Sequence, residues 1–366
     1  MTNDVILWIV VATALAFDFT NGFHDTANAI ATMISTRALA PRVAVAMAAT
    51  LNFVGAFLSL AVAATIASGI VDPGVITLPI VFSGLIGAIA WNLLTWYFGL
   101  PSSSSHALIG GMVGSTFAAV GPKGVMGDGL IEKVIVPALI APVLAFVAAG
   151  LAILICYRIV GSQRPGTVSR GFRLGQLISG SLFSLSHGTN DAQKTMGILF
   201  LALVANGNLK ATDGVPTWIV VAAASAIAAG TYVGGWRIIR TMGSRIIKMD
   251  PAQGFAAQAA GAAVILSASH VGFPLSTTHV ISGGIMGAGA AKRVSAVRWG
   301  VAGNIVFAWV LTLPASAAVG ALTFGVVHLL GEDSAGPIVV SIVLVIALVA
   351  VLVRRATGGR PMAAEA

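Results

Sequence analysis

The chain has 366 residues, 57% of them hydrophobic and only 9% charged. A soluble protein carries about 25% charged residues, so this chain lacks the polar surface to cover a water-soluble body of its size. A cytosolic enzyme, a secreted domain and a disordered chain are excluded, which leaves an all-α polytopic membrane protein. The net charge of +8 does not point to nucleic acid. The basic residues sit in short loops between apolar runs, where they orient membrane helices. A single cysteine, Cys156, rules out an internal disulfide framework or a CxxC metal site.

The opening stretch, Met1 to Trp8, has no basic region and no small-residue cleavage site, so it reads as the start of a first helix and not as a leader. Apolar runs follow at 5–36, 43–70, 76–99, 101–120, 130–157, 172–205, 216–235, 252–271, 274–291, 294–328 and 337–353. At about 20 residues per crossing they predict 10–12 transmembrane segments. The first and sixth runs carry polar clusters, Asn21-Gly22-Phe23-His24-Asp25 and His187-Gly188-Thr189-Asn190-Asp191. Polar, glycine-containing interruptions survive in lipid where backbone faces protein or a wet cavity, so broken helices are expected there. The fourth and ninth runs open with Pro101-Ser-Ser-Ser-Ser-His106 and Pro274-Leu-Ser-Thr-Thr-His279. They read either as short spans or as re-entrant hairpins.

With each run counted as one crossing and the N-terminus outside, 16 of the 20 Lys and Arg residues fall on the inner side. Three, Lys123, Lys133 and Lys210, fall outside, and Lys194 lies within a run. That asymmetry predicts an N-out, C-in topology.

The chain also repeats itself. Pro101-x-Ser103-x-x-His106-x-x-x-Gly110-Gly111-x-x-Gly114 returns as Pro274-x-Ser276-x-x-His279-x-x-x-Gly283-Gly284-x-x-Gly287, offset by 173. Gly22-x-x-Asp25 returns as Gly188-x-x-Asp191, offset by 166. Five runs precede the central basic loop, and an odd number makes the second copy enter from the opposite face. The expected organisation is a first inverted repeat at 1–157, a cytoplasmic basic linker at 158–171, a second repeat at 172–328, and an additional helix and tail at 329–366. Inverted repeats with paired broken helices are a signature of secondary transporters.

Away from the ends of the apolar runs, the acids within them are Asp18, Asp25 and Asp191. A carboxylate in the membrane is costly unless paired, protonated or hydrated, so the symmetry-related Asp25 and Asp191 read as functional. Asp191 and Lys194 also have the spacing of a helical ion pair. Asp18 has no counterpart in the second copy and reads as a local hydrogen-bonding group. Ser102–Ser105 and Ser276–Thr278 stand at helix starts, where hydroxyls and free N–H groups cradle anions; helix capping is the bland reading of the same residues. His106 and His279 follow at the same offset, as anion donors, proton carriers or structural locks, and His24 and His187 adjoin the acids. Without HxxxH or HxH spacing no bound metal is expected, and without a GxxxxGK[ST] loop no ATP hydrolysis. Trp91, Trp96, Tyr97 and Trp309 read as interfacial anchors.

Asn21-Gly-Phe-His-Asp-Thr-Ala-Asn28, Pro101-Ser-Ser-Ser-Ser-His106, Ser186-His-Gly-Thr-Asn-Asp-Ala-Gln-Lys194 and Pro274-Leu-Ser-Thr-Thr-His279 together resemble the signatures of the inorganic phosphate transporter (PiT) family. The resemblance runs in order over nearly the whole chain. It implies a bacterial-type low-affinity permease that is not an enzyme: a multi-pass protein of the inner cell membrane importing inorganic phosphate in symport with Na⁺ or H⁺. It implies no cofactor, though some relatives carry phosphate complexed with a divalent metal, and it leaves open whether the protein is a monomer or a homodimer in its lipid. In that frame Ser103, Ser104, Ser105, Ser276, Thr277 and Thr278 are the phosphate ligands. Asp25, Asn28, Asn190, Asp191 and, less directly, Asn21 bind the coupling cation, with Lys194, His106 and His279 as accessories. The second signature has Asn190 and Lys194 where the first has His24 and Asn28, so the two halves differ chemically. A sulfate permease of the same architecture is the alternative; a phosphate sensor lacks a signalling domain, and a membrane enzyme lacks an evident nucleophile–base pair.

Overall fold

Helices account for nearly all of the described chain, residues 2–357 of a computed structural model; Arg360 and the rest of the tail, 358–366, lie outside the described residues. The first half holds α1 (Thr2–Ser35), α2 (Pro41–Gly55), α3 (Ala61–Ser68), α4 (Leu78–Phe98), α5 (Ser104–Val120), α6 (Gly127–Leu130) and α7 (Val136–Val160). The second holds α8 (Pro165–Ala205), α9 (Thr217–Val233), α10 (Trp236–Arg240), α11 (Pro251–His270), α12 (Thr277–Lys292) and α13 (Trp299–Leu330). A final helix, α14 (Ala335–Thr357), follows. Lipid offers the backbone no hydrogen bonds, so an apolar chain satisfies its own peptide groups by coiling. The basic stretch 158–171 is itself mostly helical, since only 161–164 separate α7 from α8.

Helical hydrogen bonding runs through both polar clusters, which corrects the expectation of breaks there. Gly22 and Gly188 serve close packing instead. A methyl at Gly22 would fall on the backbone oxygen of Ile227 in α9, and one at Gly188 on that of Asn52 in α2. The breaks lie in the neighbouring runs. Residues 56–60 separate α2 from α3, and α9 bends by 61° into α10 at Gly234-Gly235.

α4 and α5 form a hairpin whose ends lie together. Before α4, Ile70 O accepts from Met126 N–H at 3.0 Å, and Asp72 N–H donates to Gly124 O at 3.0 Å. α11 and α12 form its counterpart, closed by Lys292 on Asp250 at 3.1 Å and by Gln253 Nε2 donating to Ala288 O at 3.2 Å. By length and apolarity alone, four described helical stretches suffice to cross a membrane: 4–35, 78–98, 127–160 and 299–330, or five with the bent α9–α10 pair. The larger number expected from the apolar runs also counts short pieces covered by protein, such as α5 and α12. Exposed Leu139 and Val143 on α7, with Phe307 and Val310 on α13, give these long helices apolar outer faces suited to lipid.

The halves are interwoven. α1 packs on α9 and α2 on α8, while α5 lies on α13 and α12 on α7. The repeated glycines make the last two contacts: Gly110 and Gly114 face Leu313 and Ala317, and Gly283 and Gly287 face Pro142 and Phe146. Small residues at such positions let helix backbones approach closely.

Candidate functional site

The tips of the two hairpins meet at the centre of the molecule. Ser103 and Ser276 cap α5 and α12, their hydroxyls accepting from His106 N–H at 3.1 Å and His279 N–H at 3.3 Å. Ser105 Oγ of one tip donates to Leu275 O of the other at 3.2 Å. The rings of His106 and His279 stand edge to face, 4.7 Å apart, and His279 stacks on Trp309 at 4.1 Å. Trp309 in turn donates to Pro101 O at 3.2 Å, and Trp91 is buried and donates to Thr312 Oγ1 at 3.0 Å. Neither tryptophan is the interfacial anchor expected from sequence: each locks a hairpin arm to α13. His106 and His279 join the two tips to each other.

Against this junction α1 and α8 present their acids. His24 Nδ1 contacts Asp25 Oδ1 at 2.7 Å, and the Thr278 hydroxyl donates to the same oxygen at 3.4 Å. Asp191 meets His187 Nε2 at 2.9 Å, accepts from the Thr277 hydroxyl at 3.2 Å and is paired with Lys194. Asn28 Nδ2 donates to Thr277 Oγ1 at 3.2 Å and Thr278 Oγ1 at 2.9 Å, and Asn190 Nδ2 donates to Leu275 O at 2.8 Å. Every site residue expected from sequence is at most 4% exposed. With Gly22 aligned on Gly188, Asn21 corresponds to His187 and His24 to Asn190. Each acid therefore has one histidine and one asparagine flanking it, in exchanged positions.

The buried atoms without a hydrogen-bond partner include both ring nitrogens of His279 and a set of oxygens. The side-chain oxygens of Asn21, Asn28 and Asn190 are buried without a hydrogen-bond donor, as are both carboxylate oxygens of Asp18. Buried polar groups normally find partners, so a cluster of bare oxygen acceptors beside two carboxylates suits a cation. Asp25, His187 and Asp191 each offer a ligand atom, all within 4.8 Å of one another. Sequence spacing missed this triad because it joins α1 to α8; the His187–Asp191 separation of one helical turn was its only local signal. A resident divalent metal fits poorly there, because the Lys194 ammonium already sits on Asp191.

On the side where α1 ends, a cleft of about 1060 Å³ is lined by Arg42, Arg237, Arg240 and Arg245. Arg237 donates to Tyr97 O and lies over the Tyr97 ring at 5.0 Å, and Thr241 Oγ1 donates to Gly99 O at 2.8 Å. α10 and the turn after it thus clamp the first hairpin tip between this basic cleft and the buried acids.

A family model described as the phosphate transporter family matches residues 21–169 and 161–320. The chain belongs to that family. It is 57% identical over 327 residues to the probable low-affinity inorganic phosphate transporter of Mycobacterium tuberculosis, covering 89% of this chain and 78% of the relative. The protein so described from Bacillus subtilis is 45% identical over 329 residues, covering 89% of this chain and 98% of its own length. A solved structure described as the sodium-dependent phosphate transporter superposes with a TM-score of 0.77 at 26% identity, covering 88% of this chain and 99% of the other. The chain is accordingly a membrane transporter of the phosphate family and not an enzyme.

Proposed function

We propose that this chain imports inorganic phosphate in symport with a cation, by alternating access between two inverted repeats, 1–157 and 172–328, in the bacterial cytoplasmic membrane. One observation carries the reading. The hydroxyls of Thr277 and Thr278, at the start of a helix suited to an anion, donate to the two carboxylates suited to a cation, at 3.2 and 3.4 Å. A cation bound at Asp25 takes up the oxygen that holds the Thr278 hydroxyl and cancels negative charge that repels phosphate. The released hydroxyl, with those of Ser103, Ser104, Ser105, Ser276 and Thr277, then faces the anion. Cation and phosphate thus favour each other's binding, and the coupling is reciprocal. Phosphate suits the carboxylates better than sulfate does, since at neutral pH it retains a proton to donate. Na⁺ is favoured over H⁺ as the coupling ion by the oxygen donors of Asn21, Asn28 and Asn190 and by the description of the solved neighbour. Complete burial of these residues accords with access that opens to one side at a time.

Uptake of labelled phosphate into proteoliposomes, with Na⁺ and pH gradients imposed separately and sulfate as competitor, tests this. Asp25→Asn is expected to abolish gradient-driven uptake in a protein that still inserts and remains monodisperse. Uptake by that variant at the wild-type rate overturns the assignment.

A further inference from the structure

We infer that Lys194 is a tethered cation: its ammonium fills one of two symmetry-related coupling-ion sites, leaving a single mobile cation, at Asp25 and Asn28, to travel with each phosphate. The inference rests on the symport reading above and specifies its stoichiometry. The offset of 166 that aligns Asp25 with Asp191 aligns Asn28 with Lys194. The offset of 173 aligns Ser105 with Thr278. The contacts obey the same symmetry: Asn28 Nδ2 reaches Thr278 Oγ1 at 2.9 Å, and Lys194 Nζ reaches Ser105 Oγ at 2.5 Å.

The surroundings of the ammonium are those of a hard metal cation. Lys194 Nζ touches a carboxylate oxygen of Asp191, the Ser105 hydroxyl and the backbone oxygen of Leu275, the last at 2.9 Å. Carboxylate, hydroxyl and carbonyl oxygens are the ligands such ions take. An ammonium has three donors, and these three acceptors use them all. None is left for phosphate, so Lys194 is not an anion ligand in this arrangement. Burial at 1% exposure is tolerable for the charge because it is paired and fully hydrogen-bonded. The first half is open by contrast. Asp25 has only His24 as an ion-pair partner among the described residues, and Asn28 Oδ1 has no donor. An amide oxygen can ligate an ion that comes and goes; an ammonium on a side chain cannot leave.

The test uses the full chain in proteoliposomes, labelled inorganic phosphate, Na⁺ varied at fixed pH and pH varied at fixed Na⁺. Wild-type phosphate binding should depend on the driving cation to first order. Lys194→Asn gives the second half the asparagine that the first has at this position. Its phosphate binding should become second order in Na⁺ or in protons, weaker by at least tenfold at subsaturating cation and restored at saturation. The reciprocal Asn28→Lys should bind phosphate with no dependence on either cation, and it tests the assignment even where Lys194→Asn fails to fold. A second-order wild type, an unchanged order in Lys194→Asn, a loss that no cation concentration restores, or a cation-dependent Asn28→Lys each overturns it. A wild type that ignores both gradients sinks the symport reading and this assignment together, whereas a cation-driven wild type with unaltered order in Lys194→Asn sinks the assignment alone.

Discussion

Ser103 and Ser104 are adjacent in sequence and differ in what holds their hydroxyls. Ser103 Oγ caps α5 through His106 N–H, while Ser104 Oγ has only His24 Nδ1 at the limiting distance of 3.5 Å. Ser103→Ala should therefore cost about 0.5–2 kcal/mol of stability, the usual value of an N-cap. Ser104→Ala should leave the melting temperature near wild type and weaken phosphate binding by roughly 1–3 kcal/mol, about five- to 150-fold. Thermal melts and phosphate titrations of both variants separate the two roles; a Ser104→Ala protein with unaltered phosphate affinity removes that hydroxyl from the anion site. The Pro-Ser-Ser-Ser-Ser-His motif announces both a cap and a cradle. It does not say which serine does which, because that is decided by where His24 of α1 comes to lie.

Among the elements, α5 and α12 depend most on glycine. A methyl at Gly287 would meet the backbone oxygen of Phe146 in α7, and backbone cannot yield as a side-chain tip can. Gly287→Ala should push α12 off α7 and lower stability by about 1–3 kcal/mol, in the manner of an overpacked core. Gly303 of α13 has nothing within 4 Å of an added methyl, so Gly303→Ala is the control and should gain roughly 0.5–1 kcal/mol from the lost backbone freedom of glycine in a helix. Melting temperatures in one detergent decide the point, and equal values for Gly287→Ala and wild type would show that α12 and α7 do not pack as described. Gly22 of α1 and Gly188 of α8 likewise mark close crossings where breaks were expected. A glycine in a membrane helix signals either a kink or a close crossing, and only the neighbouring helix distinguishes them.

For the whole molecule, the topology expected from basic residues is unchanged when α4–α5 and α11–α12 are each taken as one hairpin. A hairpin contributes two crossings or none, and either number leaves every later loop on the same side. Lys123, Arg164, Lys210 and Arg240 are all exposed, which makes them suitable reporters. In a Cys156→Ser background, single cysteines at 123 and 210 should react with a membrane-impermeant thiol reagent from outside, and those at 164 and 240 only from inside. Reaction of 164 or 240 from the same side as 123 would overturn the crossing count and the inverted relation of the halves with it.

Composition alone decided that this chain lives in lipid, because 9% charged residues cannot hydrate a body of this size. The two pairs of motifs, at constant offsets, then named the residues that meet at the centre: Asp25, Asp191 and the hydroxyls after Pro101 and Pro274 all lie in one buried cluster. Such residues are legible because burying acids and hydroxyls in a membrane is costly, and an apolar background makes them conspicuous. Tertiary structure alone decided who their partners are. That Trp309 stacks on His279, that Asp25, His187 and Asp191 converge, and that Lys194 spends its three donors on Asp191, Ser105 and Leu275 are contacts between residues far apart in the chain. Helical periodicity fixes which residues share a face, but not which face of a distant helix will lie against it. That depends on shape, and here on where glycines let two backbones close.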